Sequence, residues 1–356
     1  MTFSSEVLAD PVALTRALVD IESVSGDEKE ITDAVEVALR SNPDLLVERD
    51  GNVVLARSGS PRPDSQRVIL AGHLDTVPIA DNLPARVDGD LMYGCGTGDM
   101  KSGAALALHL AVTLSSPAYD ISYVFYDCEE VESDRNGLNR IAAARPEWLL
   151  ADLAILLEPT HGLVEAGCQG SMRVDVRAEG KRAHSARSWF GVNAIHGAGE
   201  ILDRLKAYQP RTVEIDRCTY REGLNAVGIS GGVAGNVIPD MCDVMVNYRF
   251  APDRDEAAAE QHMREVFDGY AVKMTDSAPG ALPGLSADVS QKFLAAVGQP
   301  PRAKLGWTDA ARFSALGVPA LNYGPGDPNL SHTRDEHVEI PLIRQGAETL
   351  RRWLSR

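Results

Sequence analysis

Short apolar runs that end beside histidine or carboxylate residues are the strongest constraint on how this chain can fold. His73, Glu129 and Glu158 each lie within three residues of the end of such a run. Runs of this kind, rich in branched side chains, predict buried strands, and the helical segments between them predict a mostly parallel sheet. Side chains that follow parallel strands meet at one edge of the sheet, so we expect a functional site there. The predicted fold class is α/β, with a mostly parallel mixed sheet flanked by helices.

A glycine-rich segment at 94–103, GCGTGDMKSG, resembles a phosphate loop only superficially. A Walker loop requires glycine directly before Lys-Ser, where this chain has Met100. The dinucleotide pattern requires its third glycine where Asp99 or Lys101 stands. A carboxylate at this place favours a cation over a phosphate. The apolar segment 104–111 predicts a helix, so we expect Asp99 in the turn just before its amino end.

Asp75 follows His73 at the two-residue period of a strand. If the extended geometry persists, the two side chains point the same way, which suits a metal-bound imidazole whose other nitrogen is held by a carboxylate. Each acidic residue taken singly is more typical of a solvated loop. Carboxylates that converge at one sheet edge repel one another unless a cation neutralises them, so the group predicts a metal site.

The formal net charge of −16 disfavours nucleic acid and anionic membranes as partners. No stretch approaches the ~20 apolar residues of a membrane span. The five cysteines are odd in number, widely spaced and never in a CxxC pair, which argues against a disulfide framework or a zinc knuckle. These features predict a cytoplasmic protein.

The pattern changes near Ser171, and the length of 356 residues favours two domains. The strictly alternating segment 172–178 is typical of a half-exposed antiparallel strand. We therefore expect a first domain formed by residues 1–170 and 282–356, interrupted by an α+β insert at 171–281. The first domain is predicted to end in an amphipathic helix at 340–354.

The ordered motifs resemble those of the M20 family of di-zinc peptidases and deacylases, and the resemblance covers nearly the whole chain. The motifs are His73-Leu74-Asp75, Gly98-Asp99-Met100-Lys101, Glu129-Glu130, Glu158-Pro159 and Ser331-His332. The resemblance implies a catalytic domain like that of the di-zinc peptidases. It also implies that the insert serves as a dimerisation or lid domain in a homodimer.

The resemblance also implies a role for each motif residue. The implied ligands of two zinc ions, for which cobalt or manganese could substitute, are Asp99 as the bridge, His73 and Glu158 at one ion, and Glu130 and His332 at the other. Glu129 is implied to be the general base, and Asp75 the partner of His73. The family's cis peptide would fall between Asp99 and Met100.

The substrate implied by the resemblance is a small molecule with several carboxylates. Its implied contacts are His184 and Asn236, both donated across the dimer, together with Arg249 and Thr308. The expected reaction is hydrolysis of the succinyl amide of N-succinyl-LL-2,6-diaminopimelate to succinate and LL-2,6-diaminopimelate, a step of lysine and diaminopimelate biosynthesis.

Other reactions use the same machinery, and the metal motifs do not separate them. The alternatives are an acetylornithine deacetylase, an aminoacylase, a carboxypeptidase, or a non-catalytic binding protein of the same fold. The chain has Cys168-Gln169 and Gly235 where the succinyl-removing branch commonly has two arginines and an asparagine. Specificity is therefore expected to depend on these positions.

Overall fold

The structure, a computed structural model, describes residues 2–58, 62 and 65–355. The chain divides into two compact units. Unit 1 comprises Met1–Ala166, Pro283–Arg302 and Arg312–Arg356, and unit 2 comprises Gly167–Leu282 and Ala303–Ala311. The insert expected at 171–281 lies inside unit 2, and its role as a separate dimerisation or lid domain stays a proposal.

The helices and strands are as follows. The helices are α1 (Ser5–Ala9), α2 (Pro11–Val19), α3 (Lys29–Arg40), α4 (Ser102–Thr113), α5 (Gly137–Ala144), α6 (Ala194–Ala207), α7 (Glu256–Val266), α8 (Asp288–Val297), α9 (Ala310–Ala315) and α10 (Ile340–Leu354). The strands are β1 (Leu45–Asp50), β2 (Val53–Ser58), β3 (Arg67–His73), β4 (Arg86–Asp88), β5 (Leu91–Tyr93), β6 (Asp120–Tyr126), β7 (Leu153–Leu156), β8 (Glu165–Ala166), β9 (Gly170–Glu179), β10 (Ala183–His184), β11 (Thr212–Ile215), β12 (Cys218–Arg221), β13 (Gly223–Gly231), β14 (Val237–Ile238), β15 (Met241–Phe250), β16 (Ala271–Ala278), β17 (Arg302–Ala303), β18 (Ala320–Asn322) and β19 (His337–Glu339).

The main sheet has the strand order β1-β2-β6-β3-β7-β18-β8-β17. Its centre is parallel, because β3 pairs in parallel with both β6 and β7, and β18 pairs in parallel with β7. Strands β1, β2 and β8 pair antiparallel with their neighbours. The mostly parallel mixed sheet expected from the sequence is confirmed.

The register of the central strands brings the predicted ligands together. His73 pairs with Tyr126, so β3 and β6 end at the same level. Leu156, at the end of β7, pairs with Ala71 of β3. The residues that follow β3, β6 and β7 therefore leave the sheet at one edge, as the sequence predicts for parallel strands.

Helix α4 packs closely on this part of the sheet. Its first ten residues, 102–111, are all buried. A Cβ atom on Gly103 would lie only 2.0 Å from the carbonyl oxygen of Leu157, so glycine is required for the helix to approach. This close contact sets the position of the turn that precedes α4, and that turn carries Asp99.

Unit 2 contains a four-stranded antiparallel sheet in the order β13-β15-β9-β16. Alternate residues of β9, such as Met172, Val174 and Val176, are buried and form a core with α6 and α7. The intervening residues of β9 lie on the opposite face of the sheet. This unit also contains two small antiparallel strand pairs, β11 with β12 and β10 with β14.

None of the helices in the described ranges combines the length and apolar character that crossing a membrane requires.

Candidate metal centre

Seven residues predicted to form the site come from five separate segments of unit 1. Their potential metal-ligand atoms fall into overlapping groups whose members lie within 4.8 Å of one another. One group is His73, Asp99 and Glu158; a second is Asp99, Glu130 and His332; a third is His73, Glu129 and Glu130. Asp99 belongs to both of the first two groups, which is the position that a bridging ligand requires.

His73 lies at the end of β3 and is fully buried. Its Nε2 is 3.2 Å from Oδ1 of Asp99, while its Nδ1 is 3.1 Å from the carbonyl oxygen of Asp75 and 3.4 Å from Oδ1 of the same residue. Burial by itself lowers the pKa of His73, but the Asp75 and Asp99 carboxylates outweigh it and raise that pKa well above its ordinary value. Carboxylates that stabilise a protonated imidazole in this way also stabilise a bound cation.

Asp75 has a second structural role, in binding backbone N–H groups, that its spacing from His73 does not predict. Its carboxylate accepts hydrogen bonds from the backbone N–H groups of Glu129 at 3.0 Å and Glu130 at 3.1 Å, and from the hydroxyl of Ser25 at 2.7 Å. Burial raises the pKa of Asp75, but His73 and the two N–H donors overcome this and lower it to about 2. One carboxylate therefore orients the imidazole and holds the loop after β6.

Asp99 stands in the short irregular helical turn Thr97–Lys101, directly before α4. The Asp99–Met100 peptide bond is cis, as expected. The Nζ of Lys101 donates to the carbonyl oxygen of Ile21 at 2.6 Å, so this lysine braces the turn. Its use is structural, in agreement with the failure of the phosphate-loop templates.

His332 adopts a left-handed backbone conformation, with φ of 64°, in the loop after β18. Its Nε2 lies 2.9 Å from Oε1 of Glu130 and 3.7 Å from Oδ2 of Asp99. The bond to Glu130 outweighs partial burial and raises the pKa of His332 to about 9. The second group of ligands is thus assembled from residues more than 200 positions apart in the chain.

The donor set fits a catalytic two-metal site. It consists of imidazole nitrogens and carboxylate oxygens without thiolates, which are ligands that suit zinc, cobalt and manganese. Three carboxylates, those of Asp99, Glu130 and Glu158, lie close enough to repel one another, and a bound cation relieves that repulsion.

A fourth group of potential ligands, Glu28, Asp127 and Cys128, has a different role. Oε1 of Glu28 accepts from the backbone N–H groups of Gly26 at 2.6 Å and Cys128 at 3.3 Å. Oδ1 of Asp127 is bound by Arg140 at 3.0 Å. These carboxylates anchor the loop that continues to Glu129.

Unit 2 carries the four residues expected to contact substrate. His184 in β10 pairs with Val237 in β14, and the carbonyl oxygen of Asn236 accepts from the N–H of Ser185 at 2.9 Å, so His184 and Asn236 are neighbours. His184 is exposed, and its Nδ1 accepts from the N–H of Ala186 at 3.1 Å. The neutral ring therefore carries its proton on Nε2, which can donate outward.

Arg249 and Thr308 occupy other parts of unit 2. Arg249 is partly buried on the sheet face opposite the helices, and burial followed by the charge of Arg173 lowers the pKa of its guanidinium. Among the described residues no carboxylate lies within ion-pair distance of Arg249. Thr308 is buried, and its Oγ1 accepts from the N–H of Ala310 at 3.4 Å.

The chain belongs to peptidase family M20/M25/M40, whose match extends over residues 69–356. Two relatives are similar along nearly their entire length. A protein of Mycobacterium tuberculosis named "Putative succinyl-diaminopimelate desuccinylase DapE" is 57% identical, with 98% of this chain and 99% of the relative covered. The succinyl-diaminopimelate desuccinylase of Corynebacterium glutamicum is 51% identical, with 98% and 97% covered.

Solved structures share the fold at low sequence identity. The aminopeptidase PepT of Bacillus cereus gives a TM-score of 0.78 at 18% identity, with 98% of each chain covered. A protein of Bacillus subtilis described as a dinuclear metal-binding peptidase from the M20 family gives 0.73 at 16% identity, with 99% of this chain and 98% of that chain covered. The α/β fold with its inserted unit is therefore the fold of M20 peptidases.

Proposed function

We propose that this protein is a succinyl-diaminopimelate desuccinylase, which hydrolyses N-succinyl-LL-2,6-diaminopimelate to succinate and LL-2,6-diaminopimelate in lysine biosynthesis. The observation that carries the proposal is the sequence identity of this chain to two relatives named as desuccinylases, 57% and 51% across almost the whole of each chain. The complete set of seven site residues in unit 1 supports a working enzyme over a binding protein that has lost its chemistry.

The proposal assigns two metal sites to the residues that converge in unit 1. His73 and Glu158 would hold one ion, Glu130 and His332 would hold the other, and Asp99 would be shared between the two sites. Zinc is the preferred metal, with cobalt or manganese as substitutes. When bound, the two ions act as Lewis acids and lower the pKa of water from its ordinary value to about 7.

Glu129 is the general base of the proposed mechanism. It accepts a proton from the attacking water and later delivers that proton to the departing amine nitrogen of the substrate. Its backbone N–H donates to the Asp75 carboxylate, which also lies beside the imidazole of His73. One buried group therefore positions both the base and this imidazole. A fixed geometry of this kind reduces the reorganisation needed in the transition state.

The substrate needs donors for its carboxylates and for the amide oxygen, on which negative charge develops. Arg249 has a partly buried guanidinium beside Arg173, and desolvated cations of this kind favour an anionic ligand. Thr308 is proposed as a further contact of the same ligand. His184 can direct its Nε2–H outward, and Asn236 lies next to it.

A homodimer is part of the proposal, because unit 2 exposes an apolar surface next to an open strand edge. In the part of the chain that the structure describes, β13 has a single sheet neighbour, β15. Val227 and Ile229 on β13 are 57% and 56% exposed, and Ile195 of the adjacent α6 is 42% exposed. Pairing of β13 with a second copy would cover these side chains and satisfy the strand edge. His184 and Asn236 would then serve the metal centre of the other subunit.

A cytoplasmic location completes the proposal. All five cysteines are buried and unpaired by disulfides, a condition that persists in a reducing compartment.

The decisive test is steady-state hydrolysis by zinc-loaded protein of N-succinyl-LL-2,6-diaminopimelate beside N-acetylornithine. A chelated sample and the Glu129→Gln variant serve as controls. Turnover of the succinyl substrate, lost in both controls, is the expected result. A preference for N-acetylornithine would show that the same metal centre hydrolyses a different amide. The substrate preference would then be sought at Cys168, Gln169 and Gly235.

A further inference from the structure

Glu336 is a buried carboxylate that none of the steps above uses. It is 2% exposed, and in the described chain its carboxylate oxygens accept hydrogen bonds from backbone N–H groups of the turn before α4. Oε2 accepts from Gly96 at 3.0 Å, while Oε1 accepts from Gly98 at 2.8 Å and from Asp99 at 3.1 Å. The carbonyl oxygen of Glu336 also accepts from the N–H of Gly94 at 3.1 Å. One residue therefore binds four N–H groups of a single six-residue turn.

The turn cannot supply these bonds by itself. Gly96 has a left-handed backbone with φ of 78°, and Asp99 and Met100 have non-helical backbone angles, so regular helical bonding begins only near Lys101. Backbone N–H groups that are buried without an acceptor destabilise the folded state. The two oxygens of the Glu336 carboxylate provide enough acceptor sites for three such groups, which no neutral side chain of the same shape can do.

Glu336 also connects this turn to the loop that carries His332. Its own N–H donates to the carbonyl oxygen of Thr333 at 3.3 Å, and β19 begins at the next residue and pairs with β5. Nearby, a Cβ on Gly326 would lie 2.6 Å from the Cα of Gly98, so the same loop is pressed against the turn. Asp99 and His332 are thereby held on one assembly, although 233 positions separate them in the sequence.

We infer that Glu336 is a positioning residue for the metal centre, and that it fixes the separation of Asp99 and His332 through the backbone of the turn. This inference rests on the proposed assignment of Asp99 and His332 as ligands of one ion. Glu336 acts through the N–H groups that it holds and binds neither metal nor substrate. Its loss should therefore weaken the Asp99–Glu130–His332 site more than the site formed with His73 and Glu158.

The test uses Glu336→Gln and Glu336→Asp in the full-length protein, with Glu339→Gln as the matched control. Glu339 lies three residues further along, and its exposed carboxylate lies 3.2 Å from Nε2 of His161. The Gln variant keeps the side-chain length but replaces one acceptor oxygen by an N–H₂ group that faces the N–H of Gly96. The Asp variant keeps the charge but is one methylene shorter, so it does not reach all three donors.

Zinc affinities of metal-free protein are measured by competition with a chromophoric chelator, and the visible spectrum of the cobalt-loaded protein is recorded in parallel. The expected result for both variants is a dissociation constant about 10–100-fold higher at one of the two sites, with a smaller change at the other. The cobalt spectrum should change in the same variants. The Glu339→Gln protein should match the wild type in both readouts.

A purely structural role for Glu336 predicts a different result. It would lower the melting temperature of metal-free and metal-loaded protein alike, while both zinc dissociation constants and the cobalt spectrum stay as in the wild type; that outcome overturns the inference. If the wild type binds two ions and the Glu336 variants show the site-selective loss, but the wild type does not hydrolyse the succinyl substrate, the positioning role stands and the substrate assignment fails. A wild-type protein that binds fewer than two ions overturns the positioning role of Glu336 and the assignment of two metal sites.

Discussion

Oδ1 of Asp75 lies 3.0 Å from the backbone nitrogen of Glu129, the residue proposed as the general base. The same carboxylate lies 3.4 Å from Nδ1 of His73, a proposed ligand. A single group thus determines the orientation of a ligand and the position of the base. Changes at Asp75 should therefore affect metal binding and the chemical step together.

The substitution Asp75→Asn should lower both zinc affinity and kcat. An amide has one acceptor oxygen, so it cannot bind the N–H groups of Glu129 and Glu130 together, and its neutral N–H₂ group no longer stabilises a polarised His73. We expect a loss of about 10–100-fold in zinc affinity and a further fall in kcat at saturating zinc. Chelator competition and steady-state kinetics measure the two effects. Asp127→Asn, which changes the contact of the same loop to Arg140, is the control, and equal losses in both variants would contradict this account.

Exchange of subunits should restore activity lost by two different variants. His184→Ala should keep both metals but lose turnover, and Glu129→Gln should do the same. If His184 serves the opposite subunit, a mixed dimer has one site in which both residues are intact, so an equilibrated mixture regains about a quarter of wild-type activity. Mixing of the two purified proteins after brief dissociation provides the measurement. No recovery, in dimers shown to have exchanged, would assign His184 to its own subunit or to no catalytic role.

Zinc should raise the thermal stability of the protein by an amount that increases with its concentration, and removal of the metal should abolish this gain. The clustered carboxylates of Asp99, Glu130 and Glu158 repel one another without a cation, and an ion that binds only the folded state adds about 2.7 kcal/mol at 100 times its dissociation constant. Melting curves of chelated protein titrated with zinc test this. A melting temperature that does not rise with zinc would argue against ligation by this cluster.

The buried histidine of α4 should make stability depend on pH in the mildly acidic range. Nδ1 of His109 donates to the carbonyl oxygen of Leu8 at 2.9 Å, and its Nε2 accepts from Arg351 at 2.9 Å, which requires the neutral ring. Burial, followed by the positive charge of Arg351, lowers the pKa of His109 below its ordinary value near 6.5. The unfolded chain therefore takes up the proton more readily, so the free energy of unfolding falls as pH drops below about 6.5 towards the lower folded-state pKa.

Urea unfolding of chelated protein at pH 7.5 and pH 5.5 measures this difference in wild type and in His109→Gln. The variant lacks the titrating ring, so its stability should fall less between the two pH values. A fall of equal size in both proteins would show that His109 does not contribute.

The Glu222 carboxylate should be a major determinant of the stability of unit 2. Its side chain is fully buried and is bound by Arg211 at 2.7 Å, by the Tyr248 hydroxyl at 3.0 Å and by the N–H of Ala251 at 3.1 Å. Glu222→Gln should reduce the free energy of unfolding by about 2 kcal/mol, because bonds to a charged acceptor are replaced by weaker ones. Denaturant unfolding gives the value, and Glu214→Gln on the exposed side of β11 is the control. A change no larger than that of the control would contradict the prediction.

Sequence periodicity predicted the elements whose pattern is local. Helix α10 begins and ends where its apolar spacing indicates, and the alternating segment 172–178 lies within strand β9. Strand β16 was not predicted from the sequence, because a register shift between Met274 and Asp276 interrupts its alternation of inward and outward side chains. The three-residue strands β4, β5 and β19 are too short to display any period.

The residues that converge in unit 1 could be proposed as ligands from the sequence because each belongs to a recognisable motif. The carboxylates that hold the loops of the proposed ligands were harder to find, because they bind backbone N–H groups. Every residue except proline has such a group, so the type of the donor residue does not indicate the contact. Asp75 and Glu129 are 54 positions apart, and Glu336 and Asp99 are 237 positions apart. Only the folded arrangement of the chain reveals these contacts.

The place of β18 in the main sheet has a consequence for how the protein is made on the ribosome. β18 lies between β7 and β8, yet it is synthesised after the whole four-stranded sheet of unit 2. A nascent chain that has emerged only as far as residue 300 can complete that antiparallel sheet, whereas β7 still has an open hydrogen-bonding edge and neither β18 nor His332 has emerged. Exposed apolar strand edges promote aggregation, so this interval of translation is when the chain should depend most on chaperones.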